Sequence, residues 1–200
     1  MDLGCGGGID VILAARKVGP EGKVIGVDFA PQMIERARQA VAEAGLKDRV
    51  ELIVTDMERL GLPDEFADVM ISNCVINLCP DKGAVYKEAF RILKSGGRLA
   101  ISDIVTTEKI EPGLRERFRS TWAGCLGGAV EEGDYFQIVQ KAGFRQVGIV
   151  ARHLLTPGEL EAMACCPGVE FTPAPAKDDL ALVQGKFTSI KFTAAKPPVS

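Results

Sequence analysis

Histidine is almost absent from this sequence, with His153 alone in 200 residues, and no two cysteines stand at C-x-x-C spacing. A structural zinc site draws four His or Cys ligands at short intervals, so only ligation by cysteines alone is left for one. No apolar run approaches the ~18 residues of a membrane-spanning helix, which leaves the chain without a span. A secretory leader with a basic start and an apolar stretch is missing too, so a soluble, cytoplasmic chain is expected. There is no surplus of positive charge: 24 Lys and Arg stand against 27 Asp and Glu, for a net charge of −3. That removes the electrostatic footprint of a nucleic-acid binder. Arg115, Arg117 and Arg119 cluster, but beside acids, as on a solvated helix face. Repeats, low-complexity tracts and interdomain linkers are also lacking, and 46% hydrophobic content over this length suits one packed domain. What is present in number is cysteine: Cys5, Cys74, Cys79, Cys125, Cys165 and Cys166. Without secretion, free thiols are expected rather than disulfides.

The most informative stretch is the first. Asp2-Leu3 is a strand stub, Gly4-Cys5-Gly6-Gly7-Gly8 a glycine-rich turn, and Ile9-Asp10-Val11-Ile12 the start of a helix. Glycine is needed where the backbone takes positive φ or lies very close to a ligand, and a new helix presents unpaired N–H groups over such a turn. This is the layout of a nucleotide-type cofactor loop. It departs from G-x-G-x-x-G, because counting from Gly4 puts Ile9 at the last glycine position.

Taken in order, the chain predicts a helix over 9–18, a strand over 23–28, a helix over 31–44 and a strand over 50–55. On the second helix Met33, Ala37, Val41 and Ala44 share a face. Asp28 lies 20 residues beyond Gly8, the offset at which a carboxylate meets a cofactor ribose; a helix cap fits equally and the roles are compatible. Asp56 follows the third strand and reads either as an acceptor for an adenine amino group or as an N-cap, with Met57 able to pack on a ring face. A fourth strand over 66–72, a helix capped by Asp81 and a fifth strand over 98–103 complete a βαβαβαβαβ pattern. That pattern predicts a doubly wound α/β fold with a mostly parallel sheet. Beyond it come a helix over 112–123, a helix over 135–142, a strand over 144–151, a capping box at Thr156-Pro157-Gly158-Glu159 and a last strand over 186–193. The strands number seven, the first shortened, and 1–151 reads as a cofactor-binding core followed by an irregular C-terminal segment over 152–200.

The spacing D-x-G-x-G-x-G from Asp2 to Gly8 resembles the first motif of class I S-adenosylmethionine-dependent methyltransferases, whose sheet is Rossmann-like. Adding Ser72-Asn73-Cys74-Val75-Ile76-Asn77-Leu78 and Cys125-Leu126-Gly127-Gly128-Ala129, the chain closely resembles the arsenite S-adenosylmethionine methyltransferases from Asp2 to about Val150. The resemblance implies methyl transfer from S-adenosylmethionine to trivalent arsenic, arsenite or methylarsenite, held by the thiolates of Cys74 and Cys125. It implies a cofactor site made by Asp2, Gly4, Cys5, Gly6, Asp28, Phe29, Met33, Asp56, Met57 and Asn73. It further implies a thiol reductant as co-reactant and a monomer with no nucleic-acid or membrane partner. Methyltransferases of nucleic-acid and protein amides carry an Asn-Pro-Pro-aromatic turn where this chain has Asn73-Cys74-Val75-Ile76, which argues against those acceptors. A cofactor turn so near residue 1 departs from the family, whose members carry helices and further cysteines ahead of it, and implies an N-terminally shortened chain.

The chemistry is coherent in its own terms, since soft thiophilic centres take thiolate ligands. Two other acceptor readings stay open on the residues: a small organic acceptor, and a chain that binds cofactor or thiophilic ions without turnover. Singly, Cys74 is equally a small buried residue and Cys125 an ordinary loop thiol. Cys5 reads as a small side chain within the turn, Cys79 as a spare or packing thiol, and Cys165-Cys166 as a pair that could pass a soft ion inward.

Overall fold

Two residues, Asp2–Leu3, make β1, yet they are paired on both sides. Asp2 and Leu3 lie parallel to Gly26 and Val27 of β2 (Val24–Asp28) and to Ile71 and Ser72 of β4 (Ala67–Asn73). The structure, a computed structural model, describes residues 1–114, 124–164 and 181–198. Its single sheet has seven strands in the order β3-β2-β1-β4-β5-β7-β6. Here β3 is Val50–Val54, β5 Leu93–Thr106, β6 Arg145–Leu154 and β7 Phe187–Ala195. Strands β1 to β5 run parallel, and β7 lies antiparallel between β5 and β6. The doubly wound α/β sheet expected from the strand and helix pattern is therefore the fold observed, and its order reverses beside β1, where ligands of such sheets sit.

Helices α1 (Ile9–Lys17) and α2 (Pro31–Glu43) cover one face, burying Val11, Ala15, Ile34 and Val41 against Cys5 and Val24. Pro31 at the first helical turn presets φ and gives up no hydrogen bond there. The buried stripe of α2 is Ile34, Ala37 and Val41, so Met33 lies at the edge of the predicted face, half-exposed. On the other face lie α3 (Lys82–Ile92) and α5 (Glu132–Lys141). Asp81 caps α3 by accepting from the Ala84 N–H at 3.0 Å, as its position predicts. Tyr86, Tyr135, Phe144 and Phe192 are fully buried there. Edge-to-face pairs such as Phe90–Phe144 (centroids 5.2 Å) and Phe136–Phe192 (5.3 Å) fill the layer, each worth roughly 0.5–1.5 kcal/mol beyond its buried area.

A third cluster, which includes Ile104, Leu126, Leu155, Leu160, Val183 and Phe187, gathers at the carboxyl end of β5. It joins α4 (Gly124–Gly127) and α6 (Pro157–Ala164) to the sheet, and Cys74 and Cys125 pack against it. The Thr156–Glu159 capping box forms in both directions, with Thr156 N–H to Glu159 Oε2 at 2.8 Å and Glu159 N–H to Thr156 Oγ1 at 3.3 Å.

Three expectations are corrected. The pattern required a helix between β3 and β4, but residues 55–66 form an irregular connection with one bridge, Asp56 to Arg59. Gly61 at φ +68 and Pro63 break any helix there, while Met57 and Leu60 still reach the core. The fifth strand, expected over 98–103, already opens at Leu93, and Gly96 at φ +77 sits where the pairing with β4 shifts register. The strand expected over 144–151 is β6, which runs on to Leu154 and is exposed along almost its whole length as the outermost strand on its side of the sheet. Of the helix predicted over 112–123, residues 115–123 lie outside the described residues, as do Cys165 and Cys166. No helix among the described residues is long and apolar enough to cross a membrane.

Candidate active site

The glycine turn is held from beneath by backbone bonds: Cys5 N–H to Val27 O at 2.8 Å and Gly8 N–H to Cys5 O at 2.9 Å. Two of its glycines are required by geometry. Gly4 has φ +70, and a Cβ there would lie 2.3 Å from Val75 Cγ1, so the turn touches the segment carrying Cys74. Gly8, at φ +87, would bring a Cβ within 3.0 Å of Ala37 Cβ on α2. By contrast, nothing lies within 4 Å of where a Gly7 Cβ would be, and Met33 Cε lies 3.5 Å from the Gly6 position. The outer side of the turn is thus open, with Met33 at its edge.

Asp28 organises this turn. Its Oδ2 accepts from the Gly6 N–H and its Oδ1 from the Ala30 N–H, both at 2.9 Å, and the residue is buried. It does not cap α2: the N-cap is Ala30, which makes no side-chain bond, and the Asp28 contact closes a turn two residues long. Phe29 beside it is 60% exposed. Asp2 is buried under the turn, and its Oδ2 finds no partner in the protein. Burial, with the charge of Asp10, pushes its carboxyl up to about 7. Asn73 ends β4 and donates from Nδ2 to Asp10 Oδ2 at 3.3 Å. Asp56 is exposed and accepts from the Glu58 N–H at 2.9 Å, a local turn in place of the predicted N-cap. Met57 is only 3% exposed and packs into the central core.

The two cysteines singled out by sequence meet across 51 positions. Cys125, on α4, donates its Sγ–H to the Cys74 carbonyl at 2.8 Å, and both residues are half-buried. Cys74 holds a left-handed backbone, φ +61, and its N–H bonds the Ser102 carbonyl at 2.7 Å. A non-glycine residue in that region stores strain that neighbouring contacts must hold. The Cys125 thiol lies below the ordinary range: a hydrogen bond with the Cys74 side chain lowers it, burial and the Asp103 charge oppose, and Lys82 favours the thiolate. The other two described thiols behave oppositely. Burial and nearby carboxylates push Cys5 up to about 12, under the turn against Val11 and Val24. Burial and Glu58 push Cys79 up to about 11. Cys79 lines a groove of about 650 Å³ with Asn77, Lys82 and Gly127. Among the described residues, no group of three His, Cys, Asp or Glu side chains could hold a metal ion.

A family model described as a methyltransferase domain matches residues 1–143. The chain belongs to the methyltransferase domain family. The arsenite methyltransferase of Halobacterium salinarum is 41% identical over 152 residues, covering 76% of this methyltransferase domain and 38% of that protein. A demethylmenaquinone methyltransferase of Listeria monocytogenes is 36% identical over 120 residues, covering 60% and 49%. Among solved structures, the arsenic (III) S-adenosylmethionine methyltransferase from Chlamydomonas reinhardtii superposes with a TM-score of 0.81 at 32% identity, over 98% of this chain and 63% of that one. The chain spans less than half the length of the curated arsenite methyltransferases it matches, 38% to 46%.

Sequence reasoning missed a buried polar group beside the cysteines. Asn77, Asp103, Tyr135 and Tyr86 are linked in series by hydrogen bonds of 2.7–2.9 Å. The available signal was Asp103 itself, an acid near the carboxyl end of a strand in a doubly wound sheet.

Proposed function

We propose that this methyltransferase domain moves a methyl group from S-adenosylmethionine to trivalent arsenic held by the thiolates of Cys74 and Cys125. The observation that carries the reading is the contact of Cys125 with Cys74, on a loop that itself touches the glycine turn at Gly4 and Val75. Cofactor loop and thiol pair are thereby adjacent at the carboxyl ends of β1 and β4. The names of the arsenite methyltransferase relatives support the same substrate.

The residues present fit the cofactor. Gly6 and Gly7 leave the outer side of the turn open, and the partnerless Asp2 Oδ2 suits an ammonium donor. Each Asp28 oxygen accepts one backbone N–H and keeps a lone pair for a ribose hydroxyl. Gly4, Cys5 and Gly6 contribute backbone, Phe29 and Met33 apolar surface, Asp56 and Asn73 polar contacts, and Met57 backs the site from the core. When bound, S-adenosylmethionine supplies a methyl group on a sulfonium, open to a nucleophile's lone pair. Cys74 and Cys125 bind arsenic as soft ligands and leave its own lone pair unshared. No proton leaves that nucleophile, so the site needs no general base. Its task is positioning, which in favourable cases lowers a barrier by roughly 7–11 kcal/mol. The hydrogen bond with the Cys74 side chain lowers the Cys125 thiol from its ordinary value, which favours the thiolate that arsenic needs. We place the enzyme in a reducing cytoplasm, acting as a monomer with a thiol reductant.

A small organic acceptor is the second reading, favoured by the apolar wall of Leu126, Leu155 and Leu160 beside the cysteines. Arsenic speciation by mass spectrometry, after incubation with S-adenosylmethionine and a thiol, separates the two. Methylated arsenicals lost in both Cys74→Ser and Cys125→Ser support the arsenic reading. Bound arsenite with no methylated product refutes turnover on arsenic.

A further inference from the structure

Asp103 is a buried carboxylate, 1% exposed, that the proposed chemistry leaves without a role. Burying an ionised group is costly unless its oxygens are well partnered, and a well-packed apolar residue is often no worse for stability. Here the partners are specific. Oδ1 accepts from Asn77 Nδ2 at 2.8 Å and from the Ile104 N–H at 2.9 Å, and Oδ2 accepts from Tyr135 Oη–H at 2.7 Å. Asn77 spends its second donor on the Ile104 carbonyl, at 2.7 Å. The Tyr135 hydroxyl is set in turn by the Tyr86 hydroxyl, at 2.9 Å.

Asn77 belongs to the short turn Ile76–Leu78, three residues after Cys74. The neighbouring β5 residue, Ser102, takes the N–H of the strained Cys74. Three consecutive residues of β5 thus grip the Cys74 loop at both ends, and the Ile104 side chain belongs to the cluster on which Cys74 and Cys125 pack. We infer that Asp103 is a positioning residue for the thiol pair, fixing the Cys74 turn through Asn77 while Tyr135 anchors the carboxylate. The inference rests on the reading of Cys74 and Cys125 as the ligands of one acceptor atom. Charge is not its contribution, because a carboxylate near Cys125 disfavours the thiolate. Geometry is what remains.

The test is binding of phenylarsine oxide, which closes on two thiols and needs no turnover, by the full chain carrying Cys165→Ser and Cys166→Ser so that the adjacent pair does not compete. Two-thiol capture exceeds one-thiol capture by roughly 10²–10⁴, and misalignment forfeits part of that gain. Asp103→Ala is expected to weaken capture about 10-fold or more by that reasoning, with S-adenosylhomocysteine affinity unchanged. Asp103→Asn, which keeps the acceptor for Asn77 and the shape, restores capture to near the parent value. In a Cys125→Ser background, Asp103→Ala has no further effect. If the alanine variant does not fold, Tyr135→Phe removes one bond to the carboxylate and is expected to weaken capture by a smaller factor. Unchanged capture in the folded alanine or phenylalanine variant overturns the inference, and so does an asparagine variant as weak as alanine. Absence of methylated arsenic from the parent chain, with these capture results intact, refutes the proposed turnover and leaves the positioning role standing.

Discussion

Replacing Cys74 by alanine and by glycine isolates the backbone strain at this residue from its thiol. At an ordinary position alanine is the more stabilising of the two by about 0.4–1 kcal/mol, because it restricts the unfolded chain. At φ +61 the order should invert. A left-handed conformation costs a residue with a Cβ roughly 1–2 kcal/mol, and glycine nothing. Subtracting the unfolded-state term leaves glycine ahead by about 1 kcal/mol. Packing does not confuse the comparison, since the Cβ that alanine keeps is already accommodated and both variants lose the same sulfur. For a chain of this size the difference amounts to roughly 2–4 °C in Tm. Paired urea and thermal unfolding of the two variants is the assay, with arsenite methylation absent from both. An alanine variant as stable as glycine, or more so, would refute a left-handed Cys74.

Gly4→Ala should unfold the turn or displace Val75, costing about 2 kcal/mol or more, because its Cβ would fall 2.3 Å from a stiff valine methyl; urea unfolding reads the loss directly. S-Adenosylhomocysteine affinity should rise with pH through about 7, where the raised Asp2 carboxyl ionises. Below that value the neutral acid cannot pair with the ligand's ammonium, so affinity drops by about 10-fold between pH 8 and pH 6. Calorimetry on the parent and on Asp2→Asn checks this, and a slope unchanged in the variant removes Asp2 from the ammonium site. Limited alkylation at pH 7.5 followed by peptide mass spectrometry should label Cys125 well before Cys5 or Cys79, since its thiol is lowered while those two are pushed up to about 12 and 11.

The glycine turn, the strands that follow it and the Thr156 capping box were legible because each depends on local chemistry. Positive φ calls for glycine, and a hydroxyl three residues before a glutamate closes on itself. The helix expected between β3 and β4 failed for a tertiary reason: Met57 and Leu60 are spaced as on a helix, yet an irregular connection crossing the sheet also delivers them to the core. Asp28 was found at the right distance from the turn, but its bonds to Gly6 and Ala30 could not be read from spacing. The left-handed backbone of Cys74 carries no mark in its residue type. Asp103 meets Asn77 across 26 positions and Tyr135 across 32, separations at which a single sequence holds no pairing signal. The cysteine pair was named by resemblance alone. Its contact comes from the turn after β4 and from α4 packing on it, which no count of residues reveals.

The central claim is that Cys74 and Cys125 together hold an arsenic atom for methylation, and speciation of arsenic by mass spectrometry tests it most directly. With S-adenosylmethionine, arsenite and a thiol reductant, the chain should form methylated arsenicals, and Cys74→Ser and Cys125→Ser should each reduce them to background. Methylation that persists in either serine variant would contradict the account.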